Sequence, residues 1–330
     1  MKNFFYDVLT VGNAIVDIIN PTEFSFLTKH SLVSGSMNLI NENESDLLLK
    51  DANPKDQIAG GSAANTAVGI ASFGGSAKFI GKVKNDSLGK IFEKSLELAN
   101  VNFDTPKLTN GPNTAHSIIS ITPDAERTMC TYLGACLNLS SEDITEENIL
   151  NAKIHYIEGY LLDSLKAHDV INKLIKFANQ YKKITSISLA DSFCVERHRK
   201  KFIDLLKQEI NIIFANEQEI KSLFETENFE NAINSALNFS DTVVVTRGTK
   251  GSVVAQKNTF YSFDAIQVKK VIDKNGAGDS FAAGFLFGVS KNYDLQKCGE
   301  LGNIAATEII TQYGARPEKK LSEILSNYKL

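Results

Sequence analysis

Short β-rich runs alternate with helical ones through most of the chain, and this alternation restricts the fold more than any other feature. The runs "DVLTVGN" (7–13), "AKFIGKV" (77–83), "IHYIEGY" (154–160), "ITSISLAD" (184–191), "NIIFAN" (211–216) and "DTVVVTRG" (241–248) cluster apolar and β-branched residues. Between them, "SAANTAVGIASFG" (62–74), "LGKIFEKSLELAN" (88–100), "HDVINKLIKFANQYKK" (168–183) and "RKKFIDLLKQE" (199–209) carry apolar residues at helical spacing. A βαβα order of this kind predicts an α/β fold, with a mostly parallel central sheet flanked by helices on both faces.

Two regions break the rhythm. Residues 14–40 and 113–133 read as extended runs without long helices, including "NTAHSIISIT" and "ERTMCTYLG". Together they predict a small β-sheet that lies over the main unit as a lid. The larger unit then comprises 1–13, 41–112 and 134–330, with helix resuming near 141–151. No linker rich in Pro, Gly or Ser separates two halves, so the lid is built from insertions.

Composition narrows the function classes. Of 330 residues, 43% are hydrophobic and 22% charged, which supports a sizeable core rather than disorder. A net charge of -4 argues against a nucleic-acid or acidic-membrane surface. No apolar run reaches the length of a membrane span, and Asp7, Asn13 and Asp17 interrupt the apolar N-terminus. That pattern suits a buried strand rather than a signal peptide, and the reading is cytoplasmic. The four cysteines form no CxxC pair and the five histidines no HExxH, which points to reduced thiols and no zinc.

Four stretches carry candidate chemistry. In "VIDKNGAGDSFAAGFLFGV" (271–289), Gly276 and Gly278 precede an apolar helix with Asp279 in its first turn. Unpaired N–H groups at a helix start attract anions, and glycines let backbone approach a ligand. Gly276, Ala277 and Gly278 thus form a candidate anion hole and Asp279 a candidate base, a pairing that suits phosphoryl transfer to an alcohol. In isolation the same residues also read as a tight turn with an Asp cap.

"AGGSAANTA" (59–67) again runs glycines into a helix, placing Asn65 where its amide can meet a hydroxyl; a glycine turn with a Ser cap is the plainer alternative. In "NIIFANEQEI" (211–220), Asn216 and Glu219 follow a strand three residues apart, at the end where open α/β sheets bind ligands. Such a pair suits a hydrated magnesium ion, and equally an Asn cap with a surface Glu. "VVVTRGTKGS" (243–252) places Thr246, Arg247 and Gly248 in a polar turn suited to phosphates, or in a simple hairpin. "GSAKFIGKV" (75–83) is not a Walker A loop: its spacing is one residue too long and Val83 replaces the magnesium-binding hydroxyl. No GxGxxG follows the first strand, which disfavours a dinucleotide-dependent dehydrogenase.

In order, "GGSAANT", "NEQE", "TRGTKGS" and "DKNGAGDSFAAGF" resemble the arrangement of the PfkB, or ribokinase-like, carbohydrate and nucleoside kinases. The resemblance runs from "GNAIVD" to Gly314–Ala315, nearly the whole chain. Finer features are similar to the adenosine kinases within that family. The resemblance implies Asp279 as catalytic base, with Gly276 to Gly278 as anion hole. It implies Asn216 and Glu219 ordering magnesium, and Thr246, Gly248 and Asn303 near ATP. Asp17 would bind ribose hydroxyls with Gly60, Gly61 and Asn65, while Asn13 and Ile15 lie beside the base. Arg127 matches an anion-binding lid arginine, Met129 and Leu133 an apolar roof, and Tyr160 and Phe193 the family's aromatics. Asp273, with backbone near Gly314, matches a site for a monovalent cation such as K+. Lys274 stands where the family usually has Thr, and Lys84 where it usually has Gly.

The implied activity is ATP- and magnesium-dependent phosphorylation of a primary hydroxyl on a ribose-containing substrate, adenosine to AMP, as in purine salvage. Alternatives are a sugar kinase of the same family, acting on ribose, fructose or 2-keto-3-deoxygluconate, and a non-catalytic nucleoside-binding protein. The implied assembly is a monomer or a homodimer paired through the lid.

Overall fold

The computed structural model describes residues 5–124 and 126–328. Residues 1–4, 125 and 329–330, which belong to the units delimited above, lie outside the described residues.

Among the described residues, nine strands form the main sheet. In space they run β14 (Thr259–Phe263), β13 (Ser252–Gln256), β12 (Thr242–Thr246), β11 (Ile212–Asn216), β10 (Ile184–Ser188), β9 (Ala152–Glu158), β1 (Tyr6–Val11), β5 (Ala77–Ile80) and β6 (Val101–Asn102). All pairs from β12 to β6 are parallel, and only the β12–β13 and β13–β14 pairs at one edge are antiparallel, so β13 alone is reversed. The physical cause is the side-chain alternation of a strand covered on both faces. Ile213, Val243 and Val245 enter one apolar layer with the helices Ala167–Gln180 and Ser192–Leu206. Phe214 and Val244 point the other way, into a layer shared with the helices Ser62–Ser72 and Ala277–Ser290.

A second sheet runs β3 (Met37–Ile40), β8 (Arg127–Tyr132), β7 (His116–Ile121), β2 (Val16–Pro21) and β4 (Asp56–Ala59). Strand β4 falls in a stretch that the sequence reading gave to the larger unit, yet it pairs antiparallel with β2 from Val16↔Ala59 to Ile19↔Asp56. Its four residues, "DQIA", contain a single large apolar side chain and so carry no alternation to read.

Two helices set up the site. Ser62–Ser72 and Ala277–Ser290 pack side by side through small residues; a Cβ added at Gly69 would lie 2.6 Å from the Ala283 Cβ. That close approach brings their glycine-headed N-termini together at the carboxyl end of the parallel strands.

Candidate active site

A cleft of about 420 Å³ opens between the two sheets. Glu158, Ser188, Asn216 and Thr246 line it, and each is the last residue of a neighbouring parallel strand. Ligands of open α/β sheets bind at that end. The smaller sheet contributes Asp17, Met37, Leu39, Met129 and Thr131 to the facing wall.

Asp279 lies at the floor, in the first turn of Ala277–Ser290. Gly276 caps that helix with φ 76°, in the left-handed region that glycine enters without steric cost. Gly276, Ala277 and Gly278 all face the cleft. The Ala277 amide closes a turn onto the Lys274 carbonyl at 3.3 Å, while first-turn amides such as that of Gly278 have no acceptor within the helix. The Asp279 carboxylate accepts from Ser62 Oγ at 2.6 Å and from Asn65 Nδ2 at 3.0 Å. Burial raises its pKa; those two hydrogen bonds and the charge of Arg316 act against the rise.

The acceptor side is built around the turn into Ser62–Ser72. Gly61 caps this helix at φ 87°, and a Cβ there would sit 2.4 Å from the Asn13 carbonyl oxygen. Gly60 itself is not part of the cleft wall but packs against the Asp17 carboxylate, which burial pushes up to about 7. Arg316 and Arg127 oppose that shift. Asn13, Ile15, Gly61 and Asn65 line the cleft as expected.

Two residues here carry no motif in the sequence. Glu158, buried at the end of β9, accepts from the amides of Asn13 at 3.3 Å and Ala63 at 2.8 Å, and burial pushes its pKa up to about 8. An acid inside the apolar run "IHYIEGY" was the only signal available. Arg316 reaches in from beyond the helix Leu295–Ile309. It donates to Asn65 Oδ1 at 3.0 Å, the Gly60 carbonyl at 3.0 Å and Ser95 Oγ at 2.6 Å. Burial brings its pKa down to about 10, opposed by the charges of Asp17 and Asp279.

At the nucleotide end, Asn216 caps Glu217–Leu223 in a reciprocal box: its Oδ1 accepts from the Glu219 amide, and Glu219 accepts from the Asn216 amide, each at 2.8 Å. Both side chains also line the cleft, so cap and site are the same pair. Burial pushes Glu219 up to about 8, which marks a carboxylate short of positive charge. Among the described residues no cluster of three or more His, Cys, Asp or Glu could cage a metal. One carboxylate and one amide do fit a magnesium ion that keeps its waters and binds phosphates.

Thr246 and Lys274 line the cleft. Gly248 lies outside its wall, in the β12–β13 turn, and Arg247 faces away to pair with Glu217 at 2.9 Å and cover the Phe229 ring at 4.1 Å. Asn303 is not brought to the cleft: it donates to the Asp264 carbonyl at 2.7 Å, in a separate pocket with Phe263 and Ile304. Lys84 also stays outside, bonded to the Gly111 carbonyl and Asn113.

Of the apolar and aromatic residues, Met129, Leu133 and Tyr160 line the cleft, and the Tyr160 hydroxyl donates to Asp191 at 2.7 Å. Phe193 does not; it sits on the first turn of Ser192–Leu206 with 63% of its surface exposed. Arg127 lies beyond the cleft wall and pairs with Asp273 at 3.0 Å. The same carboxylate accepts from the amides of Asn275 and Gly314, each at 3.0 Å. Both of its oxygens accept hydrogen bonds, from Arg127 and from those two amides.

Known proteins share this fold. Residues 29–321 match the family model "pfkB family carbohydrate kinase". A probable sugar kinase from Rhizobium etli CFN 42 superposes with TM-score 0.92 at 41% identity, covering 98% of each chain. An adenosine kinase from Sinorhizobium meliloti superposes with TM-score 0.91 at 42% identity, covering 98% of this chain and 99% of that one. An adenosine kinase from Dictyostelium discoideum is 28% identical over 93% of this chain and 95% of its own. Sequence, fold and cleft agree that the chain belongs to the PfkB family of carbohydrate kinases, phosphotransferases whose acceptor is an alcohol group.

Proposed function

We propose that the protein transfers the γ-phosphoryl group of ATP to the 5′-hydroxyl of adenosine. The observation that carries this reading is the two-part cleft. One part is polar, with Asn65 and Asp279 at the floor and Asp17 at the foot of the facing sheet, whereas Met37, Leu39, Met129 and Leu133 give it an apolar wall. A ribose uses the first and a purine face the second; a free sugar has no use for an apolar wall of that extent. The similarity to adenosine kinases supports the same choice.

Asp17, Gly61 and Asn65 orient the sugar so that its primary hydroxyl meets Asp279. As the acceptor oxygen bonds to the γ-phosphorus, the bond from phosphorus to the β–γ bridging oxygen breaks and ADP leaves. The hydroxyl proton passes to the Asp279 carboxylate late in a loose transition state. First-turn amides of Ala277–Ser290 face the charge on the transferring oxygens. Asn216 and Glu219 would hold magnesium through water, and the ion supplies charge neutralisation on the phosphates when bound.

A coupled assay for ADP release, run with adenosine, inosine, ribose, fructose and 2-keto-3-deoxygluconate, tests the reading. Turnover on adenosine far above the free sugars is expected. Turnover on a free sugar with none on adenosine would overturn it in favour of a sugar kinase, the second reading, which the similarity to a probable sugar kinase favours.

A further inference from the structure

Arg316 ties together three partners that lie within residues 60–95, at least 221 positions before it in the chain. Its Nε donates to Asn65 on the helix Ser62–Ser72, one terminal nitrogen to the Gly60 carbonyl after β4, and the other to Ser95 on the helix Ser87–Leu98. Asn65 in turn donates to Asp279. An amide has one accepting and one donating end, so the guanidinium at Oδ1 forces Nδ2 towards the carboxylate. Without it the amide is free to turn its oxygen on Asp279, where two acceptors repel. Lysine cannot replace the fork, because a single ammonium does not reach three acceptors in one plane.

Charge is the second half of the observation. Asp17 and Asp279 both border the cleft, and Arg316 interacts with each. Arg127 also acts on Asp17; Tyr156 and Glu158 face Asp279 and add no positive charge.

We infer that Arg316 is a positioning residue for phosphoryl transfer, fixing Asn65 and the Gly60–Gly61 turn against the acceptor and supplying the charge that lets two carboxylates share one cleft. The inference rests on Asp279 being the base of the proposed mechanism. Arg316 is not among the residues that line the cleft; it acts through Asn65 and through the two acids.

The test compares wild type, Arg316→Lys and Arg316→Gln by pH profiles of kcat and kcat/KM, with ATP, magnesium and whichever acceptor in the panel is turned over fastest. Thermal unfolding is followed alongside. Arg316→Gln is expected to lose about 100-fold in kcat, and its acid limb to move up by about one pH unit as the carboxylates lose their cation. Arg316→Lys is expected to keep the acid limb but to lose about 10-fold in kcat, since charge remains and the fork does not. Variants that melt earlier yet keep wild-type kcat and an unshifted acid limb would overturn the inference. Should Arg316→Gln fail to fold, wild-type kcat in folded Arg316→Lys overturns it alone. Asp279→Asn in the same series separates the two claims: normal turnover there defeats the base assignment whatever Arg316 does.

Discussion

The Ser62 hydroxyl donates to the Asp279 carboxylate across 2.6 Å, although 217 positions separate them in the chain. Each sits in the first turn of a glycine-capped helix, and the two helix starts meet at this bond. A donor to the charged form counters the burial that would keep the acid protonated.

Replacing Asp279 by Asn should lower kcat by about 10³-fold while leaving the acceptor KM within a few-fold, since only the proton acceptor is lost. Steady-state kinetics read both. Ser62→Ala should act more mildly: with one donor to the carboxylate gone, the Asp279 pKa rises further and the acid limb of kcat moves to higher pH.

Binding of the acceptor should depend on pH through Asp17, whose carboxyl titrates at about 7 in the unliganded cleft. The ionised form accepts hydrogen bonds from sugar hydroxyls and the neutral form offers fewer acceptors. Calorimetry without ATP should show affinity falling as pH drops below 7, by up to about tenfold per unit. Asp17→Asn should bind weakly, with a flat profile. A flat profile in wild type would remove Asp17 from the acceptor site.

Glu158 makes the stability of the unliganded protein pH-dependent. Its folded pKa, about 8, lies above the ordinary glutamate value. A group raised in this way contributes stability that is fully present below its unfolded pKa and is lost as pH rises through the folded one. Melting temperature should therefore fall between pH 5 and 8, and fall less steeply in Glu158→Gln.

The apolar wall should discriminate acceptors. Met129→Ser is expected to raise KM for adenosine by about tenfold and to leave KM for a free sugar nearly unchanged. Phe193→Ala, on a side chain that points to solvent, should change neither by more than about twofold.

The parallel sheet was legible because buried strands and amphipathic helices differ in apolar period, and that period survives in runs such as "DTVVVT". The glycine turns at Gly61 and Gly276 were legible because positive φ and close neighbouring atoms demand glycine there. Asn216 and Glu219 read equally as cap and as site, and the fold makes them a cap whose side chains line the cleft. Strand β4 was hidden by its brevity. Arg316 left no trace, and Glu158 only an acid in an apolar run, for a different reason: their partners lie 256 and 95 positions away, and no local pattern encodes contacts of that range. Phe193 and Asn303 came from the family resemblance, and a residue's place in a motif does not fix which way its side chain faces.

The clamp at Arg316 also has an order in time. The Gly60–Gly61 turn is synthesised early, and the guanidinium that secures it follows 256 residues later. A growing polypeptide can lay down its first strands and the small sheet well before then. The clamp's three bonds can form only once the ribosome has delivered the arginine, so the turn and Asn65 gain their anchor near the end of synthesis.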